Sequence, residues 1–183
     1  TWNNLITFEK SIDRHSINIL AGQEYFSYNN QNINGSRERF VLPGLYEPIA
    51  ASQLNNFTGS SVDYRLMSFL ARAEYNYDNR YFASGSIRTD GSSRFAPDTR
   101  WGTFWSIGGS WKIAEESFIK DTDIFNQLTL RASYGGQGND NLGTYYAYEG
   151  LYTITNSLGE GGVLTNRLPT PDLKWETNLN LNV

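Results

Sequence analysis

Between residues 69 and 111 the chain reads FLARAEYNYDNRYFASGSIRTDGSSRFAPDTRWGTFWSIGGSW. Most of this stretch alternates side chain by side chain. Phe69, Ala71, Ala73, Tyr75 and Tyr77 fall on one face of an extended chain, and Leu70, Arg72, Glu74 and Asn76 on the other. Tyr81, Ala83, Gly85 and Ile87 then oppose Phe82, Ser84, Ser86, Arg88 and Asp90. Trp101, Thr103, Trp105, Ile107, Gly109 and Trp111 oppose Phe104, Ser106, Gly108 and Ser110. A period of two sustained this long specifies strands and excludes helices. Asp78, Asn79 and Arg80 form a turn between the first two runs, which makes them a hairpin.

Strand length and the ends of the apolar face narrow the class. Strands of soluble sandwiches run about 5–6 residues. These run about 9–11, the length a tilted strand needs to cross a bilayer. Trp101 and Trp111 share a face and lie about 33 Å apart at roughly 3.3 Å per residue. Tilted by about 40°, that separation gives about 25 Å of height, the apolar band of an outer-membrane barrel. Tyr75, Tyr77 and Tyr81 gather at the turn end with Trp111, as an aromatic girdle requires. The alternative is a soluble β-sandwich whose aromatics grip carbohydrate.

Composition agrees with a barrel wall. Hydrophobic residues make up 39% and aromatics 15%. No run approaches the 18 or more apolar residues of a membrane-spanning helix. A modest hydrophobic content suits a wall whose alternate residues face water. Net charge is −4, with 15 Lys+Arg dispersed among 19 Asp+Glu, so no basic stripe invites a nucleic acid. The absence of cysteine removes disulfides, thiolate nucleophiles and Cys-type zinc sites.

Further alternating runs lie at 2–9, 15–25, 128–134 and 173–183, for about seven antiparallel strands in all. Residues 26–61, 91–100 and 135–171 are expected as loops. Residues 10–14, 78–80 and 112–126 are expected as shorter connections, with helical turns at 114–120. Outer-membrane barrels carry short periplasmic turns and long extracellular loops. That asymmetry puts Trp101, Tyr134 and Trp175 at the outer rim and Tyr75, Tyr77, Tyr81 and Trp111 at the inner rim. Seven strands do not close a bacterial single-chain barrel, and open edges in lipid are costly. The chain starts at Thr1 without an initiator Met and stops in mid-alternation at Leu179, Leu181 and Val183. Residues 1–183 are therefore expected to be one partial barrel domain cut from a longer protein.

Candidate functional groups fall in two places. Arg72, Glu74, Arg88, Asp90, Arg131 and Glu176 face the lumen; they either meet polar substrate or plug, or form ion pairs that hold register. Tyr145, Tyr146, Tyr148 and Tyr152 lie in the last loop; they either stack on a substrate, or pack the loop on itself or against a lid. Enzyme chemistry finds little footing. His15 is the single histidine, sits beside a turn and has no nucleophile elbow near it. Glu115, Glu116, Asp121 and Asp123 sit in a connector placed away from substrate and are expected to be solvated. Gly135, Gly136 and Gly138 lack the Lys-Ser/Thr and helix of a phosphate loop. Asn139, Asp140 and Asn141 lack the spacing of a calcium loop. No catalytic residue, metal ligand or cofactor is assigned.

Four motifs carry a family resemblance: YFASGSIRTDGSSR at 81–94, RWGTFWSIGGSWK at 100–112, LTLRASYGGQG at 128–138 and PDLKWE at 171–176. With EESFI at 115–119 and, more weakly, HSINILAGQE at 15–24, they resemble the C-terminal barrel region of SusC/RagA-type TonB-linked outer-membrane proteins. The resemblance implies a barrel of about 22 strands closed by an N-terminal plug. It implies energised uptake of oligomers, glycans or peptides, under a SusD-like surface lipoprotein. It implies outer-membrane lipids as surroundings, and a TonB complex reached through N-terminal parts this chain does not contain.

Overall fold

The alternating runs pair edge to edge, as backbone amides without a helix must. The strands are β1 (Trp2–Ile12), β2 (His15–Phe40), β3 (Ala51–Tyr77), β4 (Tyr81–Ser92), β5 (Trp101–Lys112), β6 (Thr129–Asn139), β7 (Leu151–Ser157), β8 (Glu160–Arg167) and β9 (Glu176–Asn182). Seven of them form one sheet in the order β1-β2-β3-β4-β5-β6-β9, and β7 and β8 form a separate two-stranded sheet. Two short 3-10 turns, Pro48–Ala50 and Ile113–Glu115, and the single-turn helix α1 (Ser117–Lys120) complete the described elements. The structure is a computed structural model and describes residues 1–120 and 125–183. Asp121 and Asp123 lie outside the described residues.

The chain divides into two compact units, residues 1–26 with 65–183, and residues 27–64. In the first, register carries one apolar face across the sheet. Directly paired residues share a face. Ala73 pairs with Gly85, Gly85 with Ile107, Ile107 with Tyr134, and Tyr134 with Leu181. In β1 and β2, Phe8 pairs with Ile19 and Ile12 with His15. This face has no protein cover: Ile87 is 51% exposed, Ile107 58% and Leu181 70%. A sandwich would bury these residues between two layers. Among the described residues the other sheet is two strands long.

Burial concentrates instead at one end of the sheet. Phe95, Ala96, Phe104 and Ala147 are buried there, together with Ser92. The Phe95 ring lies 5.2 Å from Trp175, and Phe104 lies 5.3 Å from Trp175 on the other side. Gly102 and Gly138 make room for this cluster. A Cβ on either would meet the Phe104 ring well inside van der Waals contact.

Several elements differ from expectation. Residues 26–61 were expected as a loop; β2 runs on to Phe40 and the chain re-enters strand at Ala51. Asn, Gly and Ser made this stretch read as loop, yet a ladder is satisfied by its partner's backbone and tolerates polar side chains when both faces are wet. In the second unit Gly35 lies against Phe57, Gly59 against the Asn32 carbonyl, and Ser52 Oγ donates to Arg39 O at 3.0 Å. The expected loop 135–171 contains the end of β6 and the β7–β8 hairpin. That hairpin turns at Leu158 and Gly159, both at positive φ. The turn expected at 10–14 shortens to Asp13 and Arg14, with Asp13 at φ 52. Asp78 and Asn79, at φ 53 and 55, make the 78–80 turn as the sequence predicts.

Candidate functional site

The face opposite the apolar one is polar and hollow. Ser16, Asn18, Glu74, Ser84, Ser110 and Ser133 line a cavity of about 840 Å³ beside Gly108 and Arg131. It lies over the halves of β2 to β6 nearest the short connections and over the end of β9 at Asn182. Gly108 keeps it open: a Cβ there would stand 3.1 Å from Ser84 Oγ and 3.5 Å from Ser133 Cβ. Ser86 and Ser106 bond across the strands at 2.7 Å, continuing the hydroxyl-lined surface. Such a wall offers hydrogen-bond donors and acceptors, and among the described residues no nucleophile–base pair lines it.

The lumen-facing residues named from sequence fall into ion pairs, a hydrogen bond and one open cation. Arg72 bonds Glu74 two residues along the same face of β3. Arg88 is the hub of a larger set. Its Nε donates to Asp90 at 2.7 Å, and Nη2 donates to Glu24 at 2.8 Å and to Ser68 Oγ at 2.9 Å. Asp90 and Ser68 are buried, and the half-buried guanidinium ties β2, β3 and β4 together. Glu176 accepts from Asn139 Nδ2 at 2.9 Å, across β6 and β9. Arg131 is exposed at the cavity wall and has no ion pair among the described residues. Glu24 was not singled out from sequence; its signal was its even position in β2, on the same face as Arg88.

The rim aromatics form two arrangements. One is a row across four strands: His15 lies 4.9 Å from Tyr77, Tyr77 6.1 Å from Tyr81, and Tyr81 6.3 Å from Trp111. Tyr75 joins it through its hydroxyl, 2.7 Å from His15 Nδ1. Beneath the row, Glu116 accepts from Tyr81 OH at 2.5 Å and from Trp111 Nε1 at 3.0 Å. Arg80 Nη1 stands 3.5 Å from the same carboxylate. The Tyr81 and Trp111 hydrogen bonds, then Arg80, hold the Glu116 carboxyl below the usual carboxylate range. Glu116 was expected to be solvated; its side chain is 13% exposed, with Tyr81, Trp111 and Arg80 against its carboxylate.

Toward the other end, Trp101 stacks on Phe69 at 6.2 Å. Tyr134 contacts Trp105 edge-on at 5.4 Å, opposite Ile107 in mid-sheet rather than at the outer rim, because β6 continues to Asn139. Trp175 precedes β9, lies between Phe95 and Phe104, and donates Nε1–H to Arg100 O at 2.8 Å.

The loop tyrosines separate. Arg94 lies 4.8 Å over the Tyr145 ring. Tyr146 O accepts from Arg167, and Tyr148 O accepts from Thr170 N at 3.0 Å. Burial, followed by the hydrogen bond to Glu149, pushes the Tyr148 hydroxyl above its ordinary range. Tyr152 lies on β7, 65% exposed. Asp140 accepts from Ser92 Oγ at 2.8 Å and faces Arg94 at 3.6 Å, so this loop carboxylate is already engaged by protein groups.

Comparison with known proteins completes the description. The family model described as TonB dependent receptor-like, beta-barrel matches residues 1–183. The TonB-dependent receptor SusC of Bacteroides thetaiotaomicron is 32% identical over the whole of this chain and 18% of its own length. The TonB-dependent receptor P26 of Formosa agariphila is 31% identical, again over the whole chain and 19% of its length. The solved structure of the RagAB peptide transporter superposes with a TM-score of 0.89 at 28% identity, over 97% of this chain and 20% of that one. The chain thus spans about one-fifth of the length of these relatives. A seven-stranded antiparallel sheet with one continuous uncovered apolar face, matched over its whole extent, belongs to the β-barrel of the TonB-dependent receptors, in the SusC/RagA family.

Proposed function

We propose that this chain supplies barrel wall and extracellular loops to an outer-membrane, TonB-dependent importer of oligomeric nutrients, glycans or peptides. In this reading residues 1–183 are one partial barrel domain. A SusD-like surface lipoprotein covers the loop end, and the TonB complex acts through N-terminal parts of the whole protein. The wall does no bond chemistry. Nutrient passes along the face that carries Arg72, Glu74, Arg88, Asp90, Arg131 and Glu176, and Tyr152 is the loop tyrosine best placed to meet it. Tyr75, Tyr77, Tyr81, Trp101 and Trp111 lie against lipid.

The observation that carries the reading is the opposition of the two faces. One is apolar and uncovered by protein; the other is hydroxyl-rich and hollow over about 840 Å³. A membrane on one side and water on the other satisfy both. The substrate class is drawn from similar proteins, among them the RagAB peptide transporter. The test is uptake by cells carrying the full-length receptor, with labelled oligosaccharides and oligopeptides offered in parallel. TonB-dependent accumulation of one class, lost when the receptor or its surface lipoprotein is deleted, is expected. Accumulation unchanged by either deletion would contradict the proposal.

A further inference from the structure

On the apolar face between the two aromatic arrangements, one side chain in the described register carries a formal charge. It is Lys10. Register fixes its direction. Lys10 pairs with Ile17, in line with Phe8–Ile19 and Ile12–His15, while Glu9 faces the other way and accepts from Asn18 Nδ2 at 3.3 Å. Phe8, Ile12, Ile17 and Ile19 around it are exposed. Among the described residues no carboxylate comes within ion-pair distance of its ammonium. The cations of the connections at this end have acidic or aromatic partners: Arg14 and Arg80 at Asp78, Lys120 at Glu115, and Lys112 5.1 Å over the Phe82 ring; Arg131, on the polar face, has no ion pair among the described residues.

Depth makes the position of Lys10 informative. Lys10 is two residues inside Ile12, whose partner His15 belongs to the aromatic row. Two residues are about 6.6 Å along a strand, or about 5 Å of depth at the usual barrel tilt. A lysine at that depth buries its stem in hydrocarbon and extends its ammonium to the interface. Lipid phosphates are the anionic groups of that interface. Arg14, in the adjacent turn, has a side chain 68% exposed and stands 3.7 Å from Asp78.

We propose that Lys10 is the phosphate-binding group of a phospholipid site on the inner rim. It takes the phosphodiester of a lipid whose chains lie along Phe8, Ile12, Ile17 and Ile19. The proposal rests on reading the apolar face as lipid-facing, so the experiment tests the two separately.

The experiment uses the full-length receptor, delipidated in detergent and titrated with phosphatidylglycerol under native mass spectrometry. Lys10→Met is expected to lower affinity at one lipid site about fivefold, the scale of one lysine at an anionic surface. Lys112→Met is expected to leave it unchanged. Excess inorganic phosphate is expected not to displace the lipid; displacement would make this a free-anion site and overturn the proposal. Unaltered affinity in Lys10→Met would also overturn it, and would assign the lysine to a carboxylate on the neighbouring strand of the whole barrel. Separately, Phe8→Trp in liposomes is expected to be quenched by lipids brominated in their chains. No quenching would overturn the lipid-facing reading itself, whereas quenching with unaltered Lys10→Met affinity would overturn only the lysine's role.

Discussion

Ala83 and Ser84 are neighbours in β4 with opposite surroundings. Ala83 pairs with Tyr75 and Gly109 on the apolar face, and Ser84 lines the polar hollow. In the full-length receptor, Ala83→Arg is expected to cost roughly 2–4 kcal/mol of folding free energy and Ser84→Arg much less. Equilibrium unfolding in lipid measures both, and equal tolerance would contradict the facing assignment. Glu116 carries a second prediction. Its folded pKa is lowered, so its contribution to stability is full above the unfolded glutamate pKa of about 4.3 and is lost as pH falls through the lower folded value. In a receptor whose single tryptophan is Trp111, acidification below the ordinary glutamate range is expected to change the fluorescence reversibly. Glu116→Gln, which cannot titrate, should abolish that transition. A transition that persists in Glu116→Gln would assign it elsewhere.

At the scale of elements, the loops behave as built structure. Phe95 is fully buried against Trp175, and Thr99 Oγ1 donates to Pro171 O at 3.3 Å, so the 93–100 loop is fastened to the segment before β9. Phe95→Ala is expected to cost about 3–5 kcal/mol locally. Hydrogen exchange at 92–100 and 169–175 would report it as lost protection while the centre of β4 stays protected; unchanged exchange would contradict the account. These fastenings were the part least legible in the sequence. The strands at 81–90 and 101–111 were readable because alternation is a local signal with a sharp period. Extension of β2 and β3 was not, since a wet ladder leaves no apolar period to read. Glu116 looked like one of four carboxylates in an acidic connector; its role depends on Tyr81 and Trp111, which only the β4–β5 register brings beside it. Trp175 read as an outer-rim member of the alternating run 173–183, and its ring turns instead toward Phe95, a residue far away in sequence.

For the molecule as a whole, the uncovered apolar face dictates the solvent. Contiguous exposed apolar area of this kind drives aggregation in water. The segment expressed without detergent is expected to be insoluble or polydisperse; a monodisperse monomer in plain buffer would favour a soluble sandwich. The central claim is that successive side chains of β4, β5 and β6 meet hydrocarbon and water in turn. Single spin labels in the full-length receptor, reconstituted in liposomes, test it most directly. At Ala83, Ile87, Ile107 and Ala132, collisions with oxygen are expected to dominate. At Ser84, Ser86, Ser106 and Ser133, collisions with oxygen should be fewer, and a water-soluble nickel complex should reach any of these sites that the plug leaves open. Equal oxygen exposure in the two sets would contradict the claim.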